Sequence, residues 1–386
     1  MKLSGSVAVA ALLALAFSGS VLAAEARGGA DFDAAIDALC TKDVVLLGED
    51  AGHGGGDTVR LKSDMVVTLV ERCGFSALYF ESPVYEFLRL EERLARGDAD
   101  PQALADAVGG LWAGTREFQP LLHWAWKKAD AGALRLRGLD LQVGGSTQYF
   151  SEQELPARLA RHAGPDRENC EHRLEQLTQW SFDAARPYDD AARQGLRTCL
   201  SAIEAELAGE QHDEASRFTR HMAGNLQGFL DLSEGDRFNR RDAAMAHNLI
   251  WHRARSQGER AIVWTATTHA AKAALPAQPD RVSLGMHLEE RLGDSLASIG
   301  FTAMAGRHGR PSGPEQELAA PAADSLEAMA GSIDAPIYLD APALQRLGMV
   351  EARIAAYARP QRAEWGQLLD GVWILPVESP LHPGDE

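Results

Sequence analysis

Glu49, Asp50 and His53 follow an apolar run, Val44-Val45-Leu46-Leu47, and are set among Gly48, Gly52 and Gly54. An imidazole with a carboxylate nearby suits general-base catalysis: it is neutral yet basic near pH 7, and the carboxylate orients the ring or holds the imidazolium that forms. The glycines let the backbone turn sharply and approach a ligand. Arg60 and Lys62 open the helical pattern that follows, where cations and a helix N-terminus hold an anionic or carbonyl oxygen, or else form a solvated basic face. Three more titratable groups stand at comparable places. Glu81 ends the run Ser76–Glu81, Asp140 ends Leu134–Asp140, and His269 follows Ala261–Trp264. Arg241, Met245, Asn248 and His252 share one face by helical spacing, so Arg241 could bridge to a strand-end carboxylate or cap the core edge. No Gly-x-Ser-x-Gly elbow, His-Glu-x-x-His pair, dinucleotide fingerprint or Walker loop is present, which disfavours those chemistries.

The elements that must carry these groups alternate. Val44–Gly48 reads as a buried strand, Thr58–Cys73 as a helix stopped by Gly74, and Ser76–Glu81 as a second strand. Tyr85–Arg96, Gln102–Leu111 and Phe118–Ala131 are helical patterns, and Leu134–Asp140 alternates as a third strand. From about Ser151 to Arg237 the pattern is charged and mostly helical, which predicts a helical insertion rather than a separate domain. Asn239–Arg255 is a further helix and Ala261–Trp264 a strand. Leu284–Leu292 is helical, and Phe301–Ala305, Ile337–Leu339 and Val372–Leu375 are strands, with a Gly- and Pro-rich loop over Gly306–Ala323. Such alternation predicts an α/β fold with a mainly parallel sheet between helical layers. Ligand sites of such sheets lie at the carboxyl ends of the strands, where Glu49, Glu81, Asp140 and His269 fall.

Met1-Lys2, the apolar run Val7–Phe17 and the small residues near Ala23-Ala24 predict a secretory signal peptide over residues 1–24 and one mature domain over 25–386. The apolar run is too short to span a bilayer, and no Cys follows it to take a lipid anchor, so a periplasmic or secreted protein is expected. Lys and Arg number 38 against 55 Asp and Glu; the resulting net charge of −17 argues against nucleic acid or an anionic membrane as partner. Export permits disulfides. Cys170 and Cys199 lie in helical segments that a bridge could tie together, whereas Cys40 and Cys73 are either bridged or separately buried thiols.

Read together, the chain resembles the erythromycin esterase family. The resemblance rests on Leu47-Gly48-Glu49 followed by His53-Gly54, Arg60-Leu61-Lys62, Leu69-Val70-Glu71, Gly74-Phe75 leading to Phe80-Glu81, and Leu111-Trp112 with Glu117. It continues through Gly138-Leu139-Asp140-Leu141-Gln142, Arg241-Asp242, Met245-Ala246, Asn248-Leu249, Trp264 with His269, Gly285-Met286, Gly293-Asp294, Ile299-Gly300-Phe301 and Leu369-Asp370-Gly371-Val372. It implies a three-layer α/β/α fold with a helical section over a deep cleft, and metal-independent hydrolysis of a small-molecule ester or lactone without a cofactor. His53 would activate water with Glu49 and Glu81 beside it, His269 would complete the catalytic set, and Arg60, Lys62, Asp140 and Arg241 would contact substrate. The chain departs from the family pattern twice: three residues rather than two separate Glu49 from His53, and Ala266 and Thr267 stand where a second His and an Asn are usual. Two other classes compete. Glu49, His53, Glu81 and His269 are ordinary divalent-metal ligands, as in a metal-dependent hydrolase or protease. An exported haem-binding or other ligand-binding protein is the third.

Overall fold

A computed structural model of the protein describes residues 32–143, 149–209, 213–232 and 236–384. The expected signal peptide lies outside them. In chain order the helices and strands are α1 (Phe32–Leu39), β1 (Val44–Glu49), α2 (Gly56–Cys73), β2 (Ala77–Pro83), α3 (Val84–Arg96), α4 (Pro101–Val108), α5 (Gln119–Asp130) and β3 (Arg135–Asp140). There follow α6 (Tyr149–Gln153), α7 (Leu155–Ala160), α8 (Arg167–Thr178), α9 (Asp190–Glu206), α10 (Glu214–Asp231), α11 (Arg237–Arg255) and β4 (Ala261–Ala266). The chain continues with α12 (Thr267–Ala270), α13 (Leu284–Leu292), β5 (Leu296–His308), β6 (Gln316–Glu317), α14 (Leu326–Met329), β7 (Ile337–Asp340) and α15 (Ala341–Leu347). It closes with β8 (Met349–Ala352), β9 (Gln361–Glu364), α16 (Trp365–Leu368) and β10 (Gly371–Glu378).

These elements form two compact units. The first holds the described residues up to Gly74, then Thr265–Arg281 and Leu288–His382. In it β1 runs parallel to β5, from Val44 opposite Leu296 to Gly48 opposite Gly300, and β5 runs parallel to β10. All six residues of β1 are buried, which accounts for its unbroken apolar sequence up to Gly48. Strand β7 joins β10 antiparallel, Gly371 opposite Asp340. Trp365, Leu369, Val372 and Ile374 lie in the core beside them. The span expected to be loop over Gly306–Ala323 is partly strand: β5 runs on to His308, and Arg307 and His308 pair with Glu317 and Gln316. That pairing involves two exposed residues of β6, so no buried face marks it in the sequence. The short β8–β9 hairpin was not expected either, because four-residue strands with mixed polarity carry almost no periodic signal.

The second unit holds the described residues of Phe75–Trp264, Val282–His287 and 383–384. Here β2 is flanked by β3 and β4, parallel to both. Gly138 of β3 is required by packing, since a Cβ there would fall 2.6 Å from the Pro83 carbonyl oxygen and 2.7 Å from Phe87 Cδ2. Helices α6 to α10 occupy the span expected to be a helical insertion. Their core, including Leu155, Leu174, Leu200, Met222 and Leu226, is continuous with Val84, Tyr85 and Leu88 of α3. Most of that core comes from these helices themselves, and α3 completes it. Asp189 and Asp213 cap α9 and α10, each accepting from a first-turn amide. Glu86 is buried at the start of α6, where it accepts from the Phe150 and Ser151 amides at 3.0 and 2.9 Å; burial raises its pKa against those bonds.

Both cysteine pairs are disulfides. Cys40–Cys73 joins the ends of α1 and α2, and Cys170–Cys199 joins α8 to α9, with Cα atoms 4.9 and 5.5 Å apart. Denatured, unreduced protein is expected to show no reactive thiol. Replacing Cys170 and Cys199 together by alanine is expected to lower unfolding free energy by about 3 kcal/mol, from the entropy returned to a loop of that length. Chemical denaturation under non-reducing conditions measures the change; an unchanged midpoint would rule the bridge out as a stabilising element. No helix among the described residues is long and apolar enough to cross a membrane.

Candidate functional site

Glu49 is the last residue of β1, at its carboxyl end. The loop that follows is folded by its own polar groups. Asp50 Oδ2 accepts from the Gly52 amide at 2.8 Å, and the His53 amide donates to the Asp50 carbonyl at 2.8 Å. This turn holds His53 at φ +52°, in the left-handed region that costs a non-glycine residue about 1 kcal/mol. Asp50 Oδ1 accepts from the Tyr357 amide at 2.7 Å, and burial raises its pKa against that bond. Asp50 is therefore occupied in building the loop.

The turn presents His53 back to Glu49. His53 Nδ1 lies 2.7 Å from Glu49 Oε1, with the imidazole 11% exposed. Glu49 Oε2 accepts from Lys62 Nζ at 2.7 Å, and Lys62 is completely buried. Lys62 Nζ is also 3.4 Å from the Thr265 carbonyl oxygen. Burial opposes charge on Glu49, yet Lys62 and then His53 outweigh it and hold the carboxyl below the usual range. A buried ammonium is tolerable only when so paired. Because Glu49 is ionised, the bond assigns the proton to Nδ1 of neutral His53, leaving the lone pair on Nε2.

Arg60 is placed differently from Lys62. It is half-exposed and donates to Asp57 at 2.7 Å and to Ser379 Oγ at 3.3 Å. The amides opening α2 already have an acceptor: Glu378 Oε1 accepts from Asp57 N at 2.7 Å and Thr58 N at 3.2 Å. Thr58 Oγ1 and the Tyr357 hydroxyl donate to Glu378 Oε2 at 2.5 and 2.7 Å. Burial raises the Glu378 carboxyl to about 7. Sequence reasoning missed Glu378, which reaches this helix from the last strand.

His269 lies on α12, immediately after β4. That short helix rests on the end of β1: a Cβ on Gly48 would fall 2.7 Å from Thr267 Cα, and Thr267 Oγ1 donates to the Gly48 carbonyl at 2.5 Å. His269 is buried, and Arg281 Nη2 lies 3.0 Å from its Nδ1 and 3.4 Å from its Nε2. Arg281 sits in a polar loop with no motif to single it out, and was not anticipated.

In the second unit the ends of the parallel strands β2 and β3 meet α11. Arg241 Nη2 donates to Glu81 Oε1 at 2.9 Å and Asp140 Oδ2 at 2.7 Å, and its Nε donates to the same Asp140 oxygen at 3.1 Å. Burial works against the guanidinium, but the two carboxylates prevail and raise its pKa. Two turns further on, Asn248 donates to the Leu139 carbonyl at 2.7 Å and to Asn225 Oδ1 at 2.8 Å, fixing α11 to the end of β3. Among the described residues, no three His, Cys, Asp or Glu side chains are grouped as metal ligands.

Several solved structures share this fold. A Bacillus cereus protein is 17% identical with a TM-score of 0.70, over 90% of this chain and 92% of that one. A succinoglycan biosynthesis protein is 17% identical with a TM-score of 0.68, over 90% of each chain. A His-to-Asn variant of the erythromycin esterase EreC, in its open conformation, is 17% identical with a TM-score of 0.64, over 90% of this chain and 94% of that one. No curated protein matches the sequence. The family model for erythromycin esterase matches residues 70–371, most of the chain. On that match the chain belongs to the erythromycin esterase family.

Proposed function

We propose that this protein is an exported hydrolase that cleaves an ester or lactone by attack of water, with His53 as general base and no metal ion. The observation that carries the proposal is the buried run Lys62–Glu49–His53, with bonds of 2.7 Å at each step. Lys62 keeps Glu49 charged and fixed, and Glu49 sets the His53 ring and its tautomer. His53 Nε2 then takes a proton from water as the oxygen attacks the substrate carbonyl carbon. The imidazolium formed is held by Glu49 until it returns the proton to the departing alkoxide, leaving a carboxylic acid and an alcohol. His269, with Arg281 against it, is assigned to the oxyanion of the tetrahedral intermediate, where a fixed donor next to a cation lowers the barrier most. Arg241 is assigned a positioning role, because its donors are committed to Glu81 and Asp140.

Metal independence is supported by the state of Glu49. Both of its oxygens are engaged by Lys62 and His53, and a divalent ion would have to displace a buried ammonium. Export is supported by the two disulfides. Assays on simple esters, lactones and macrolides, each with and without a chelator, test the reading. Turnover that is indifferent to chelator is expected. Loss with chelator and recovery with added divalent ion would replace it with metal-dependent hydrolysis. Absence of turnover on every ester, with saturable haem binding, would replace it with the binding class.

A further inference from the structure

The helical part of the second unit holds a groove of 670 Å³, large enough for a drug-sized molecule, between one face of α10 and one face of α11. None of the candidate site residues named above lines it. At one end stand Arg217, Arg220 and Arg255, with Glu204 as the single acid among the described lining residues, on a chain whose net charge is −17. Arg255 is spent within the fold: it donates to Glu214 at 2.6 Å and lies over the Trp251 ring at 4.5 Å. Arg217 and Arg220 are exposed and form no ion pair with another described residue. Two cations left uncommitted at the mouth of a concave site call for an anion.

The middle of the groove is walled by aromatic rings. The His221 ring is stacked on Trp251 with centroids 3.7 Å apart and planes 6° from parallel, and the His247 ring lies 6.0 Å from His221 at 26°. His221 is buried, and burial together with His247 lowers its pKa to about 3, so at neutral pH the His221 ring is uncharged. Its Nε2 is buried without a partner in bonding geometry; Asn248, whose Oδ1 is likewise unmatched, is the neighbour opposing that shift. The far end is floored by Gly224, Gly228 and Ala244. A glycine inside a helix costs about 1 kcal/mol relative to alanine. Neither glycine has the positive φ that would otherwise explain it. What each allows is the close approach of a side chain that also lines the groove: a Cβ would stand 3.2 Å from Glu204 Oε1 at Gly224 and 3.1 Å from Leu141 Cδ1 at Gly228.

We propose that this groove is a second ligand site, taking a small ring-bearing organic anion whose acidic group meets Arg217 and Arg220 and whose apolar body lies against the edge of Trp251, Gly224 and Gly228. The test is calorimetric titration of the full chain with an anilinonaphthalenesulfonate and with its neutral phenylnaphthylamine counterpart. One saturable site for the sulfonate is expected, with binding of the neutral compound weaker by about tenfold or more. The double charge reversal R217E/R220E and the floor-filling Ala244→Leu are each expected to weaken the sulfonate by about tenfold or more. The arginines are exposed, so the reversal leaves folding intact, and a melting curve checks this for each variant. Equal affinity of the neutral compound, or wild-type affinity in a folded R217E/R220E protein, would overturn the proposal.

Discussion

If the proposed mechanism holds, His53→Ala is expected to lower kcat for ester hydrolysis by about 100- to 10,000-fold, the usual contribution of a positioned general base. The loss falls on kcat rather than KM, because the imidazole acts on water and on the proton in flight, not on substrate binding. The fold is expected to survive. The side chain is at a loop and bonds Glu49, and Glu49 keeps its stronger partner Lys62 when the imidazole is gone. Alanine also preserves the residue class that must hold φ +52°, so the loop is not released as it would be by glycine. A well-folded His53→Ala protein with wild-type turnover would defeat the mechanism outright.

Much of this site could be read from the sequence because its parts are local. A fully buried strand needs apolar residues at every position, so Val44–Leu47 marks β1 and its end marks Glu49. The tight turn needs Asp50 and Gly52, and so marks the loop that delivers His53. Lys62 was legible as a cation but not as a buried one, although its spacing held the clue. Lys62, Met65, Val66 and Leu69 fall on one face of α2, and all four are buried, whereas Arg60 falls outside that face and stays half-exposed. Arg281 and Glu378 were not legible. Each enters through a contact set by tertiary folding, 12 residues from His269 in one case and 320 from Thr58 in the other. Arg241 lies between these extremes: helical spacing selects its face, but only the parallel pairing of β2 with β3 brings Glu81 and Asp140 within its reach. The irregular β6, β8 and β9 failed for a different reason, since two- to four-residue strands bury too little for a pattern to exist.

Lys62→Met is expected to be the most destabilising single change in the site, by about 3–5 kcal/mol at neutral pH, and to abolish turnover with it. Methionine fills nearly the same volume, so the loss is not a cavity. It is the removal of the charge that lets Glu49 remain ionised while buried. The pH dependence follows from the direction of the Glu49 shift. In the wild type Lys62 holds Glu49 below its ordinary value of 4.5, so the pair contributes stability above that pH and loses it as pH falls through the lowered value. In the variant burial acts unopposed by Lys62, the carboxyl takes up a proton, and the penalty is greatest above 4.5 and shrinks toward acid. Denaturant midpoints of both proteins, measured from pH 7 down to about 4, should therefore converge. The double variant Lys62→Met/Glu49→Gln divides structure from chemistry. Removing both charges leaves no buried ion, so most of the stability should return. Turnover should not, because His53 then faces a neutral amide that cannot hold an imidazolium. If the double variant regained activity along with stability, the Lys62–Glu49 pair would be scaffold only, and His53 would act without it.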